Sequence, residues 1–167
     1  MAHIPDGVLS APVLVTGAVL ACGALAIATR RLDYERIPQA AVLAAAFFVA
    51  SLVNVPLGPS SVHLVLNGLM GLVLGWAAVP AIMVALVMQA AFFGFGGLLV
   101  LGVNLVNIAL PALLCALLIA PGLRRARGRR VFILGAVAGG MGVGLTGALI
   151  CLSLALSGSE CLPAAQV

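Results

Sequence analysis

Long apolar runs separated by short polar connectors divide the chain into six predicted helices. The first run spans about Ser10 to Thr29, with Ser10 as N-cap and Pro12 in the first turn, where its missing N–H breaks no bond. Arg30 and Arg31 close it, and the connector Arg30 to Arg36 leads to helix two, about Ile37 to Val53. Two prolines and a glycine interrupt residues 54–61, which predicts a turn-rich break. Helix three then runs from about Ser61 to Val79, and Pro80 predicts a break before a shorter helix four, about Ala81 to Phe93. Gly94 to Gly97 reads as a turn, helix five spans about Leu98 to Ala120, and helix six about Val131 to Leu156. Small residues recur at helical spacing, Ala40, Ala41, Ala44 and Ala45 in helix two, Gly68, Gly71 and Gly75 in helix three, and Gly135, Gly139, Gly140 and Gly144 in helix six. Such spacing predicts faces that neighbouring helices approach closely.

Composition turns these helices into membrane spans. Hydrophobic residues make up 64% of the chain and charged residues 7%, with a mean hydropathy of +1.31, too few polar groups to cover a water-soluble globule. The expectation is an all-α integral membrane protein, one transmembrane domain over residues 1–167 with no soluble domain. Its net charge of +4 comes from eight basic residues, all arginines, in two connectors. That is a topology signal, not a nucleic-acid surface. Four predicted crossings separate the two arginine loops, so both fall on the cytoplasmic side. The N-terminus, the loop around His63 and the C-terminal tail are then outside. No basic region precedes the first run, so it reads as a retained helix and not a signal peptide. Cys22, Cys115, Cys151 and Cys161 show no metal-type spacing, and the first three read as small packing residues.

No predicted span holds a charged residue, which argues against a proton relay, a voltage sensor or a carboxylate-lined cation path. Ser51, Asn67, Gln89, Asn104, Asn107, Thr146 and Ser153 are the polar residues left inside. Gln89, Thr146 and Ser153 read as hydrogen-bonding between helices, Asn67 shares a helical face with His63, and Asn104 shares one with Asn107.

The two histidines carry the candidate chemistry. In the first turn of helix three the helix dipole keeps His63 neutral and able to bind a metal. His3 lies beside a free terminus, where an α-amine, a deprotonated amide and an imidazole can close fused rings in one plane. Planar nitrogen donors suit Ni(II) or Cu(II) more than tetrahedral Zn(II) or oxygen-seeking Mg(II). If Met1 is removed, the Ala2 amine, the His3 amide and the His3 ring fill three positions and His63 the fourth. If Met1 stays, its amine, two amides and the His3 ring fill the plane and His63 is axial or unused. The six residues to Asp6 reach about 20 Å at roughly 3.3 Å each, enough to dip into a bundle. Asp6 could fix an imidazole tautomer or form a turn with Gly7.

The opening His3-Ile4-Pro5-Asp6-Gly7-Val8-Leu9-Ser10 with Pro12, together with Ser61-Val62-His63-Leu64 and the following Asn67, Gly68 and Gly71, resembles the CbiM/NikM family. These are the substrate-capture (S) components of energy-coupling factor cobalt and nickel transporters. The resemblance implies a metal held by the terminal residue's amine (Met1 or Ala2), the amide and ring of His3, and the ring of His63; Asp6 and Asn67 are, from their own chemistry and spacing, the candidates to stand behind these ligands. It implies Co2+ or Ni2+ as cargo, no cofactor, a cell-membrane location and no catalysis by this subunit. The implied partners are a transmembrane coupling protein, a cytoplasmic ATPase pair and a small accessory membrane protein, with Ala40, Ala41, Ala44 and Ala45 as candidate contacts for the coupling protein. His3 is third here, where the family has histidine directly after the initiator. The family commonly has seven crossings against six here, from which the sequence predicts a missing last helix; the other reading is a broken helix hidden near Pro80 or Gly94 to Gly97. Two other classes compete: a channel or structural bundle without metal binding, and a hydrolase using Ser60 or Ser61 with His63. The hydrolase lacks a buried carboxylate and a nucleophile turn.

Overall fold

The structure is a computed structural model that describes residues 4–57, 60–63 and 66–158, with 54–57 and 60–63 described through their backbone. Helix α1 spans Ala11–Arg30 and a 3-10 turn, Tyr34–Arg36, leads to α2, Ile37–Leu52. Strands β1, Asn54–Leu57, and β2, Ser60–His63, follow. Next come α3, Asn67–Leu74, a 3-10 turn at Gly75–Ala77, and α4, Ala78–Phe93. The chain ends in α5, Leu101–Leu118, a short α6, Ala120–Arg125, and α7, Arg129–Leu156. The described backbone is thus helical, as expected, apart from one hairpin.

That hairpin corrects the third predicted helix. Asn54 pairs with His63 and Leu57 with Ser60 in an antiparallel ladder, so Ser61 to His63 are extended and His63 is not in a helical first turn. Pro56 and Pro59 had set the predicted start just beyond the prolines. The extended pairing instead holds the chain to His63, and α3 begins at Asn67.

The break after α3 falls at Gly75, not Pro80. Gly75 has φ +58° and ψ −123°, which glycine reaches without a Cβ clash. Pro80 sits in the first turn of α4, where a missing N–H breaks no helical bond. Residues Asn67–Phe93 form a 27-residue stretch apolar enough to count as one of five candidate spans, yet its contacts show two legs. Leu72 packs beside Cys115 and Ile119, so α3 heads toward the end of the bundle where α5 finishes. Trp76 lies under the Arg31 guanidinium, 4.7 Å from the ring centre, at the finish of α1. From there α4 returns, and Gln89 near its far end hydrogen-bonds Ser51 in the last turn of α2. At eight residues α3 is about 12 Å long, less than half a bilayer core. It starts beside the middle of α7, where Asn67 bonds the Gly142 carbonyl and Thr146.

Six legs result, and both arginine loops lie at one end. Helices α1 and α5 start together, since Leu9 packs on Val100 and Val103, and Ser10 N–H donates to Ser157 Oγ beyond the end of α7 at 3.2 Å. The opposite end carries Arg30, Arg31 and the stretch Arg124 to Arg130. Ser10 has the extended backbone of an N-cap but makes no side-chain capping bond.

The core is centred on α5 and α4, with Leu105, Ile108 and Ala112 against Ile82, Ala85 and Leu86. Of the predicted glycine faces, Gly68 and Gly71 are real. A Cβ on Gly68 would press the Ala138 carbonyl and one on Gly71 the Ala112 carbonyl. In α7 the close-packed glycine is Gly142, against Asn67, whereas Gly135, Gly139, Gly140 and Gly144 have open space where a Cβ would go. Ala44 is buried and Ala40 half-buried in the core, leaving Ala41 and Ala45 exposed. Cys115 is buried, its thiol donating to the Ala138 carbonyl at 3.5 Å, Cys22 is exposed, and Cys151 is disulfide-bonded, not a packing residue.

Candidate metal centre

The segment entering α1 is fastened to the bundle through its backbone. The side-chain amide of Asn104 clamps the Ile4 residue on both sides: Ile4 N–H donates to Asn104 Oδ1 at 3.0 Å, and Asn104 Nδ2 donates to the Ile4 carbonyl at 3.1 Å. Ile4 is 3% exposed, packed with Leu9, Val100, Val103 and Leu154. Two residues later Asp6 N–H donates to the Gly96 carbonyl at 3.0 Å, and Asp6 Oδ1 accepts from Val100 N–H at 3.1 Å. The Asp6 carboxylate therefore caps α5 from a different part of the chain, at the end where the helix dipole favours a negative charge. A Cβ on Gly97 would collide with that carboxylate. From Asp6 back to Ile4 the segment descends about one turn of α5, from Val100 to Asn104.

Met1, Ala2 and His3, the expected terminal ligands, lie outside the described residues. His63 is placed by its backbone at the β2 end, opposite Asn54. Among the described residues no group of three or more histidine, cysteine, aspartate or glutamate side chains converges. Asn67 is fully buried and saturated. Its Nδ2 donates to Thr146 Oγ1 at 2.7 Å and the Gly142 carbonyl at 3.2 Å, and its Oδ1 accepts from Gly68 N–H at 2.9 Å. It joins α3 to α7, and its expected shared helical face with His63 does not exist, because His63 is on a strand. Asp6 makes its bonds to the α4–α5 loop and Val100.

The expected interhelix bonds are present. Gln89 pairs with Ser51 and Thr146 with Asn67, while Ser153 contacts Asn107 at 3.4 Å. The spacing of Asn104 and Asn107 predicts a shared helical face but does not signal the role of Asn104. Its partner is a main-chain peptide 100 residues away, and the visible signal was a buried amide one residue type too polar for its surroundings.

Taken together, these features define a polytopic helical membrane protein whose N-terminal segment is held down inside one end of the bundle. A family model for the cobalt uptake substrate-specific transmembrane region, CbiM, matches residues 3–167, and the chain belongs to that family. A putative metal transport protein of Haemophilus influenzae is 48% identical over 159 residues, 95% of this chain and 77% of that protein. The fused nickel transport protein NikMN of Rhodobacter capsulatus is 41% identical over 116 residues, 64% of this chain and 33% of that one. A crystal structure of a truncated transition metal transporter superposes with a TM-score of 0.80 at 27% identity, covering 92% of this chain and 74% of that one. The chain is a membrane protein of cobalt/nickel-type metal transport, and such a transporter component fits the expectation of no enzyme activity.

Proposed function

We propose that this chain captures Co2+ or Ni2+ for an ATP-driven importer, holding the ion with the terminal amine, the amide and ring of His3, and the ring of His63. The observation that carries this reading is the double hydrogen bond between Asn104 and Ile4. A chain terminus in water frays; here the residue next to His3 is buried and fixed at both its N–H and its carbonyl. That anchoring lowers the entropy cost of chelation, because only the short stretch before Ile4 is left to be ordered when an ion binds. The nitrogen set suits a nickel or cobalt ion, and deprotonation of the amide makes binding fall as pH falls.

The two arginine loops, gathered at one end, make that end cytoplasmic and put the N-terminal segment outside. As a member of the CbiM family, it works in this reading with a transmembrane coupling protein and a cytoplasmic ATPase pair, with a small accessory membrane protein. Ala41 and Ala45, exposed on α2, are the residues of the predicted small-residue face open to the coupling protein. Equilibrium binding of Ni2+ and Co2+ to purified protein with its natural N-terminus tests the site: His3→Ala and an acetylated terminus each abolish stoichiometric binding. Retained binding in both removes the proposed ligand set.

A further inference from the structure

Helices α1 and α7 each pack on α5 but hardly on each other. Next to the cluster that joins their outer ends, a groove of about 380 Å³ opens between them. Its walls are apolar, with Leu20 on α1 and Leu152 on α7 both more than half exposed. Each of the three helices adds one polar residue to the lining: Thr16, Asn107 and Ser153. Two of these commit their proton locally, since Thr16 Oγ1 donates to the Pro12 carbonyl at 2.7 Å and Ser153 Oγ to the Leu149 carbonyl at 2.8 Å. Asn107, 3% exposed, keeps only a 3.4 Å contact between its Oδ1 and Ser153 Oγ, and its Nδ2 has no hydrogen-bond partner among the described residues. Turning the amide over sets Nδ2 against the Ser153 oxygen and moves the unpaired end to Oδ1, so in either orientation one end of a buried amide is unmet. Such an end costs free energy in a membrane interior until a partner supplies the bond.

The depth of Asn107 decides what can meet it. Counted from Leu101, the first residue of α5, it lies about 9 Å along the helix, inside a hydrocarbon core about 30 Å thick. Lipid headgroup oxygens stay at the edge of that core, and an acyl chain brings no polar atom to the amide. Backbone that reaches this depth from the lipid is helical, and the uncharged side chains that offer both a donor and an acceptor are hydroxyls and amides. They match the groove, where two hydroxyl oxygens are open to a donor and one amide end awaits its complement. The small-residue face assigned above to the coupling protein lies elsewhere, on α2, which packs mainly on α4.

We infer that the groove between α1 and α7 seats one transmembrane helix of the small accessory membrane protein, with a hydroxyl or amide side chain of that helix hydrogen-bonded to Asn107. The identity of the partner rests on the function proposed above. The groove also borders the N-terminal segment. Val13 and Val103 line it and pack in the cluster that buries Ile4, so a helix seated here completes the wall behind the clamped segment.

Photo-cross-linking in membranes that hold the assembled importer provides the test, with p-benzoylphenylalanine placed at Leu20, at Leu152 or at Val42, an exposed position on α2. The groove positions form adducts with the accessory protein and Val42 does not. Asn107→Leu weakens co-purification of the accessory protein about 3- to 15-fold, the range of one interhelix hydrogen bond in a membrane. The thermal stability of that variant purified alone stays level or rises, because an unmet amide is gone. If Asn107→Leu does not fold, the adducts at the exposed groove positions decide. Adducts there with lipid, with a second copy of this chain or with the coupling protein instead overturn the assignment, as does an Asn107→Leu chain that loses stability and keeps its partner. Accessory protein that co-purifies with the wild type but forms no adduct from the groove overturns the docking site and leaves ion capture and its partners as proposed. A wild-type chain that never associates with the accessory protein removes both the docking site and that partner.

Discussion

Asn104 shows how a single side chain can replace a strand neighbour. Its amide offers one donor and one acceptor at the spacing of a peptide, and Ile4 presents the complementary pair. Interhelix hydrogen bonds in membranes are individually modest, averaging about 0.6 kcal/mol with a maximum near 1.7, so Asn104→Leu costs the fold about 1–2 kcal/mol at most. The larger effect falls on the segment it holds. With Ile4 released, the terminus pays its own ordering entropy on chelation, and metal affinity in Asn104→Leu drops by at least 10-fold while thermal unfolding shifts little. Isothermal titration of Ni2+ beside a melting curve checks this; equal losses in stability and affinity would make Asn104 a simple packing residue. Asp6 belongs to the same scale. Its sequence neighbours suggested a turn or an imidazole partner, but the carboxylate caps a helix that begins 95 residues later, a relation that local spacing does not encode.

Legibility at the level of elements depended on which physical signal dominated. The apolar runs placed α1, α2, α5 and α7 within a few residues of their observed bounds, because a bilayer demands long uninterrupted helices and the sequence must comply. The turn between α3 and α4 was expected at Pro80 and occurs at Gly75, since proline is harmless in a first helical turn whereas only glycine readily takes the positive φ of the bend. The hairpin at 54–63 was unreadable: its strands are four residues each, too short for a period-two pattern, and prolines mark a break without saying what fills it. Glycine spacing was equally ambiguous, because a small residue looks the same in a crossing and on an open face. Gly71 and Gly140 make the distinction testable. Gly71→Ala drives a methyl into the backbone carbonyl of Ala112 and costs about 1–3 kcal/mol. Gly140→Ala meets nothing in this chain and leaves stability unchanged or higher, as helix propensity favours alanine. Thermal unfolding of the two variants in the same detergent decides whether the close face is the one assigned.

For the whole molecule, the count of crossings and the direction of α3 together set which ends share a side of the membrane. Counting Asn67–Phe93 as one crossing would give three legs between the arginine loops and place them on opposite sides. The packing of Leu72 against the cluster of Cys115, Ile119 and Ala138 and the contact of Trp76 with Arg31 split that stretch at Gly75, restore four, and agree with a charge distribution that gathers every arginine at one end. The half-length α3 also has a consequence for the metal centre. Because α3 starts at mid-depth beside Gly142 and Thr146, the hairpin carrying His63 connects the end of α2 to the interior of the bundle, the side from which Ile4 is clamped. In a background with the native cysteines replaced, single cysteines at Glu35 and Arg127 therefore react with an impermeant thiol reagent from the same face of sealed vesicles, and one at Gly158 reacts from the other. Labelling of Glu35→Cys and Arg127→Cys from opposite faces would require Asn67–Phe93 to cross as one helix, and would move the loop between α4 and α5, with the N-terminal segment it holds, away from the side on which the positive-inside rule places it.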